Sequence, residues 1–256
     1  MKGFLTKIII AGLALITTSS SYKAIAQQTE QGYIKYTKSV NWSKMLASVD
    51  YISKERADKM AYMFGNETDW KTNAILYFSK NESKYEDIED TNQPDMYSSK
   101  KQVFFMHHNF LKGKMSYAFP FNSKTYIIND SLQTPAWKVL NDMKEVAGHI
   151  CMNATYRDEL RKQNIVAWFA LDIPTNIGPE RFIGLPGAIL EVDINNGAMV
   201  IWAENIVYKN LTNNELSIPS KVKGKNVSVS EYSEILKKHY EEQRKAERIP
   251  FGENRY

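Results

Sequence analysis

The chain has 256 residues, with 33 lysines and arginines against 29 aspartates and glutamates, a formal net charge of +4 and 43% hydrophobic residues. Cys151 is the only cysteine, which excludes a fold stapled by internal disulfides. Beyond the first residues no apolar run approaches the roughly 18 needed for a membrane helix, so no transmembrane span is expected in the body of the chain.

The start reads as an export signal. Lys2 and Lys7 form a short basic segment, and Ile8 to Ile16 is an apolar run too short to cross a bilayer. Ala24-Ile25-Ala26 supplies the small-x-small pattern that a signal peptidase cuts, with Gln27 as the new N-terminus. No cysteine lies near the cut, so a lipid anchor there is excluded. The mature chain then has 230 residues, and loss of Lys2, Lys7 and Lys23 leaves 30 basic against 29 acidic residues. A net charge of +1 gives no electrostatic reason to expect nucleic acid as a partner. The expected location is the periplasm or the periphery of an outer membrane. A chain of this length buries on the order of 70% of its extended surface in one core, so residues 27–256 are read as a single domain.

Taken in order, Gly32 to Val40 reads as a strand. Asn41 to Phe64 reads as a helix, because Met45, Leu46, Val49, Ile52, Ala57, Met60 and Met63 recur near helical spacing, with Gly65-Asn66 as the stop. Ala74 to Phe78 is a short apolar strand. Tyr85 to Asp90 is acidic but lacks the spaced oxygens and central glycine of a calcium loop, so a solvated loop is expected. Asn92 to Lys101 reads as a surface connection. Gln102 to Leu111, Lys114 to Phe121 and Lys124 to Asn129 follow as strands, with turns at Gly113 and Asn122-Ser123. Trp137 to Leu140, Val146 to Ala154 and Ile165 to Leu171 continue the pattern. Ala188 to Ile194 and Ala198 to Ile206 read as a hairpin closed by Asn195-Asn196-Gly197, since Asn-Gly suits a type I′ turn. The chain ends in a helix opened by Ser228 and Glu231 at capping-box spacing, with Tyr232, Ile235, Leu236, His239 and Tyr240 on one stripe. The fold class is α+β: a curved, mostly antiparallel sheet of about eight to ten strands, or an incomplete barrel, with an N-terminal helical insertion and a C-terminal helix.

Signatures of common catalytic sites are missing: no G-x-S-x-G, H-E-x-x-H, C-x-x-C or phosphate-binding glycine loop occurs. Ser98-x-x-Lys101 and Ser220-x-x-Lys223 match one motif of penicillin-binding enzymes without its companions, as chance allows in a lysine-rich chain. The histidines are His107, His108, His149 and His239. His149 and Cys151 are two apart on a strand and share a face, a pairing suited to zinc or copper if His107 or His108 completes the site. The same pair also suits a thiol nucleophile with its base, or a core cysteine beside a packing histidine. Between Asp172 and Gly187 the prolines Pro174, Pro179 and Pro186 and the glycines Gly178, Gly184 and Gly187, with Leu185, make a loop shaped by its backbone. It reads first as a corner where the sheet folds over its core and second as a recognition surface.

The run V-A-W-F-A-L-D-I-P-T-N-I-G-P-E-R-F-I-G-L-P-G-A-I-L-E-V, residues 166–192, resembles the signature of the GLPGLI family of exported bacterial proteins. The naming hexapeptide stands here as Gly184-Leu185-Pro186-Gly187-Ala188-Ile189, with alanine in the fifth place. The resemblance extends to residues 130–139 and 148–154, where His149 replaces a typical aromatic residue, and more weakly to 32–36 and 76–85. It implies a signal peptide, no established activity and an association with outer-membrane transport proteins. The expected function is therefore a non-enzymatic binding or accessory protein of the cell envelope without a cofactor. A zinc or copper protein using Cys151 and histidine is the alternative, and a hydrolase the third reading.

Overall fold

Buried and exposed side chains alternate from the first strand of the computed structural model, which describes residues 30–63, 69–88 and 103–248. The expected signal peptide with its cut at Ala24 and Ala26, the Gly65-Asn66 stop, the end of the acidic stretch, and Ser98 and Lys101 lie outside the described residues. In β1 (Gly32–Asn41), Ile34 and Tyr36 are buried while Lys35 between them is exposed. The strands that follow are β2 (Asp69–Phe78), β3 (Glu82–Ile88), β4 (Phe105–Asn109), β5 (Lys114–Phe121), β6 (Lys124–Ser131), β7 (Lys138–Val146), β8 (His149–Asp158), β9 (Gln163–Ala170), β10 (Ala188–Ile194), β11 (Met199–Tyr208) and β12 (Lys225–Val227). The helices are α1 (Trp42–Ala47), α2 (Lys54–Met63), α3 (Asn213–Leu216) and α4 (Val229–Lys245). No described helix is long and apolar enough to cross a membrane.

The strands form one open sheet in the order β12-β6-β5-β4-β3-β2-β1-β11-β10-β9-β8-β7. It holds 12 strands, more than the sequence suggests, and it is mixed: β12 runs parallel to β6 while the other pairs are antiparallel. The register lines up one buried row across seven strands. Val227, Ile128, Tyr117, Met106, Tyr85, Leu76 and Ile34 are successive partners, and all belong to one hydrophobic cluster. Each such side chain contributes about 1.5–3 kcal/mol by leaving water, so this row alone ties the β12 edge of the sheet to β1 at its middle.

Three differences from the sequence reading have physical causes. The helix expected over 41–64 is interrupted: Ser48 turns its hydroxyl back onto the Met45 carbonyl (2.7 Å) and ends α1, and only Met45, Leu46 and Ala57 of the expected stripe are buried. As far as Ile88 the acidic stretch is not a loop but part of β3, where Ser83, Lys84 and Tyr85 are all buried and Lys84 pairs with Glu86 (2.8 Å). A charge at a buried position breaks the period-two pattern by which a strand is read. The strand expected from Val146 is cut at once by Ala147-Gly148, whose φ values of 51° and 83° make the two-residue turn that joins β7 to β8.

The hairpin of β10 and β11 closes differently from a two-residue turn. Asn195, Asn196 and Gly197 are all left-handed (φ 53°, 55° and 83°), and the Asp193 carboxylate accepts from the Gly197 N–H at 2.6 Å. Helix α4 starts on a capping box: Ser228 Oγ accepts from the Glu231 N–H, and the Glu231 carboxylate accepts from the Ser228 N–H at 2.7 Å. Asp130 on β6 also accepts from the Val229 N–H (3.1 Å), fastening the start of α4 to the sheet. Tyr232 and Leu236 of α4 are then buried in the same cluster as the transverse row.

Between β9 and β10 the chain forms no helix or strand, yet it covers the sheet. Ile173, Ile177, Phe182, Ile183 and Leu185 are buried there. Its backbone is satisfied piecewise: Gly184 N–H donates to the Asn176 carbonyl, Ala188 N–H to that of Ile173 and Ile189 N–H to that of Ile177, at 2.9–3.0 Å. Trp137 Nε1 donates to the Ile183 carbonyl at 2.9 Å. Lys38 of β1 meets Glu180 at 2.8 Å, an ion pair in which Glu180 is 2% exposed. Gly184 has φ +93°, a conformation that side chains resist. Gly187 does not take a positive φ; a Cβ there would overlap the Ala170 carbonyl, so its need for glycine is close approach.

Candidate functional site

The geometry of β8 separates His149 from Cys151. The His149 ring turns to Asp172, with Nδ1 2.7 Å from Oδ2. Cys151 is 0% exposed, and its thiol donates to the His149 carbonyl oxygen at 3.6 Å rather than to the ring. Burial pushes the Cys151 thiol up to about 11, with the nearby Asp172 carboxylate adding to the shift. A thiol in that state is neither an activated nucleophile nor a ready metal ligand at neutral pH. His107 and His108 stand on β4 and do not join the pair. Among the described residues no group of three or more His, Cys, Asp and Glu side chains could hold a metal ion.

The proline-glycine loop is divided. Gly178, Pro179, Leu185 and Gly187 are buried, while Pro174, Gly184 and Pro186 are exposed. Pro174 to Ile177 line one wall of a cleft of about 450 Å³ that also touches Phe78 and Tyr208. Ser220 and Lys223 lie in an exposed stretch. His239 packs its ring 4.9 Å from Phe121.

A larger cleft of about 480 Å³ lies where α4, the β8–β9 turn and strands β4 to β6 meet, a volume within the range of small-molecule sites. Each wall comes from a different part of the chain. Strands β4 and β5 supply the apolar floor through the alternating residues Met106, Met115, Tyr117 and Phe119. From α4 comes Tyr232, whose ring packs on Phe119 at 4.8 Å. The turn supplies Asp158 and Arg161, and the loop supplies Arg181. Asp158 closes the turn by accepting from the Arg161 N–H at 3.0 Å, a standard use of aspartate.

Asp158 also holds both arginines. Arg161 Nη1 approaches its Oδ2 at 2.9 Å, and Arg181 Nη2 lies 3.5 Å from the same oxygen. Arg181 further donates to Gln163 at 2.9 Å and lies 4.5 Å over the Phe182 ring. Burial alone would raise the Asp158 carboxyl, but Arg161 and Arg181 outweigh it and hold it below its ordinary value. Two guanidinium groups on one carboxylate leave a buried positive charge over. Two donors remain uncommitted. Arg161 Nε and Tyr232 Oη are buried, and neither finds a hydrogen-bond partner among the described residues. Tyr232 is 5% exposed, and burial raises its hydroxyl well above the ordinary range, so it stays protonated.

Behind the floor runs a buried polar chain. His108 Nε2 is 2.6 Å from the Tyr117 hydroxyl, and Nδ1 is 3.2 Å from Ser83 Oγ. Burial, then the neighbouring His107, brings the His108 ring down to about 3, so it is neutral at physiological pH. Ser83 and His108 are both 0% exposed, and of the three only Tyr117 lines the cleft. The chain therefore fixes the Tyr117 hydroxyl and presents no open nucleophile. No histidine or cysteine is among the described residues that line the cleft.

Sequence reasoning named Tyr232 only as a packing residue and passed over Asp158, Arg161 and Arg181. The Asp-x-x-Arg spacing of the turn was the available signal. Arg181, in the loop, is brought to the turn only by the tertiary fold.

Comparison with known proteins finds a family model described as a protein of unknown function (Porph_ging), which matches residues 157–191. The matched stretch contains Asp158, Arg161 and Arg181 and the whole loop. No curated protein matches. Among solved structures, PNGF-II in its C2 crystal form aligns with a TM-score of 0.52 at 15% identity, over 80% of this chain and 32% of that one. PNGF-II in its P21 form aligns at 0.51 and 13%, over 81% and 33%. The chain thus spans about a third of the length of PNGF-II. At that identity the likeness concerns the fold alone.

Proposed function

We propose that this chain is an exported binding protein of the cell envelope, cut after Ala26, that holds a small ligand in the cleft between α4 and the β8–β9 turn. One observation carries the reading: among the residues that line a cleft of about 480 Å³ are Arg161 and Tyr232, whose buried Nε and Oη have no hydrogen-bond partner among the described residues. Such groups cost about 1–3 kcal/mol each when left unmade. Thr175 Oγ1 and Glu180 Oε2 are also buried without a partner among the described residues, but Arg161 and Tyr232, unlike them, belong to the lining of this cleft, where a ligand can complete them. Binding is supported by the lining, whose buried carboxylate Asp158 is taken up by Arg161 and Arg181. The family resemblance adds the association with outer-membrane transport proteins, as carriers or acceptors of the ligand.

The test starts from the native source. Protein purified from the envelope fraction should begin at Gln27 by intact mass, and extraction should release a small molecule at near-unit stoichiometry. Ser233 lines the cleft, so Ser233→Trp should fill it and abolish the co-purifying molecule while leaving the melting temperature within a few degrees. A molecule retained by Ser233→Trp sinks this reading.

A further inference from the structure

We propose that the cleft takes an amphipathic monocarboxylate, its head on Arg161 Nε and the Tyr232 hydroxyl and its apolar body against Met106, Met115 and Phe119. This rests on the binding reading above and adds the ligand's chemistry to it.

The head group follows from the donors. A guanidinium Nε–H can only donate, and arginine stays protonated in proteins, so the missing partner is an acceptor. The Tyr232 hydroxyl can donate into the same space. A ligand that accepts from both is an oxygen acid, and the local charge sets its sign. Asp158 is already engaged by the Arg161 N–H, by Arg161 Nη1 and by Arg181 Nη2. The second guanidinium is therefore matched by no other buried carboxylate lining the cleft. One negative charge balances the site. A dianion would exceed that balance, and a cation would face both arginines at close range. Glu159 at the rim does not serve, since its side chain is 72% exposed and pairs outward with Lys162 and Arg157.

The body follows from the floor. Met106, Met115 and Phe119 are nearly fully buried and offer no polar atom for a sugar hydroxyl. The Tyr117 hydroxyl, which does face this region, is already committed to His108. Methionine and phenylalanine side by side form an adaptable surface for an alkyl chain or a fused ring.

Isothermal titration of the purified, ligand-stripped chain with decanoate, decanol and decylamine tests both halves. Decanoate should bind about tenfold tighter than decanol or better, as charge-assisted hydrogen bonds require, and decylamine should bind weakest. Arg161→Gln and Tyr232→Phe should each bring decanoate toward decanol while leaving decanol unchanged. Arg157→Gln, at the exposed rim, should change neither. Tyr232→Phe removes no charge and no partner, so it carries the test if Arg161→Gln fails to fold. Equal binding of decanoate and decanol by wild type overturns the carboxylate assignment and leaves the binding reading standing. Loss of all three ligands together in Arg161→Gln assigns that residue a structural role and overturns the head placement. No binding of any of the three by wild type overturns both.

Discussion

The loop between β9 and β10 and the cleft beside α4 meet at the adjacent residues Glu180 and Arg181, yet they treat buried charge in opposite ways. In the loop Lys38 matches the charge of the deeply buried carboxylate Glu180 through Oε1, although Glu180 Oε2 and Thr175 Oγ1 are buried without a hydrogen-bond partner among the described residues. In the cleft a pair of donors is left without a protein partner, and one guanidinium is left over. The change from a matched to an unmatched charge therefore happens within one residue. A region that must hold a shape pairs its buried charges internally. One that must accept a ligand leaves some of them to be closed from outside.

The sharpest way to break this contrast is to open the loop artificially. Lys38→Met leaves Glu180 buried without its cation and should lower stability by about 3–5 kcal/mol, measured by urea unfolding. Adding Glu180→Gln to it should recover most of the loss, since an uncharged amide has far less to lose. If Lys38→Met unfolds like wild type, the loop does not depend on its ion pair. Next in size is Gly187→Ala, which drives a methyl into the Ala170 carbonyl and should cost about 3 kcal/mol, the upper end of overpacking. Gly184→Ala meets the Thr134 side chain at Cγ2 and Cβ (2.7 and 2.9 Å), so Thr134 must shift rather than turn, and with its φ of +93° it should cost about 1–2 kcal/mol. A reversed order in thermal melts would mean that backbone conformation outweighs close approach here.

Local regularities carried much of the sheet into view from the sequence. The alternation Met115, Tyr117, Phe119, Phe121 marks β5 at its observed bounds, and the capping box marks the start of α4. Elements whose signal is not local stayed hidden. β12 is three residues long and exists only because β6 is there to pair with it. β3 buries a charged residue, Lys84, between Ser83 and Tyr85, so its strand pattern is broken in the sequence. The cleft was the least legible part: Arg161 and Arg181 share one carboxylate only after β9 and the loop have folded back on the turn, and no spacing along the chain encodes that meeting.

A smaller effect separates the buried histidine from the cleft in front of it. In the fold the His108 ring is neutral down to about 3, while the unfolded chain protonates near 6.5. The unfolded state therefore takes up the proton first, and stability falls as pH is lowered. Between roughly pH 6 and pH 4 the slope from His108 alone should be about 1.4 kcal/mol per unit. His107, also depressed by burial, adds in the same direction. His108→Gln should flatten that slope whatever it does to stability at neutral pH. An unchanged slope in the variant would place the pH dependence elsewhere.

The smallest effect is the most telling about the cleft, because its sign matters more than its size. A buried tyrosine hydroxyl that makes a hydrogen bond stabilises a fold by about 0.5–1.5 kcal/mol, so Tyr→Phe normally destabilises. Tyr232 Oη has no such partner among the described residues. Removing it from ligand-stripped protein should raise stability by about 1 kcal/mol, because its desolvation is no longer carried uncompensated. With a saturating carboxylate the order should reverse, since a ligand that uses the hydroxyl stabilises wild type by more than it stabilises the variant. Melting both proteins with and without decanoate reads the four states directly. If Tyr232→Phe is the less stable of the two without ligand, the hydroxyl is already satisfied within the fold, and the cleft loses one of its two open donors.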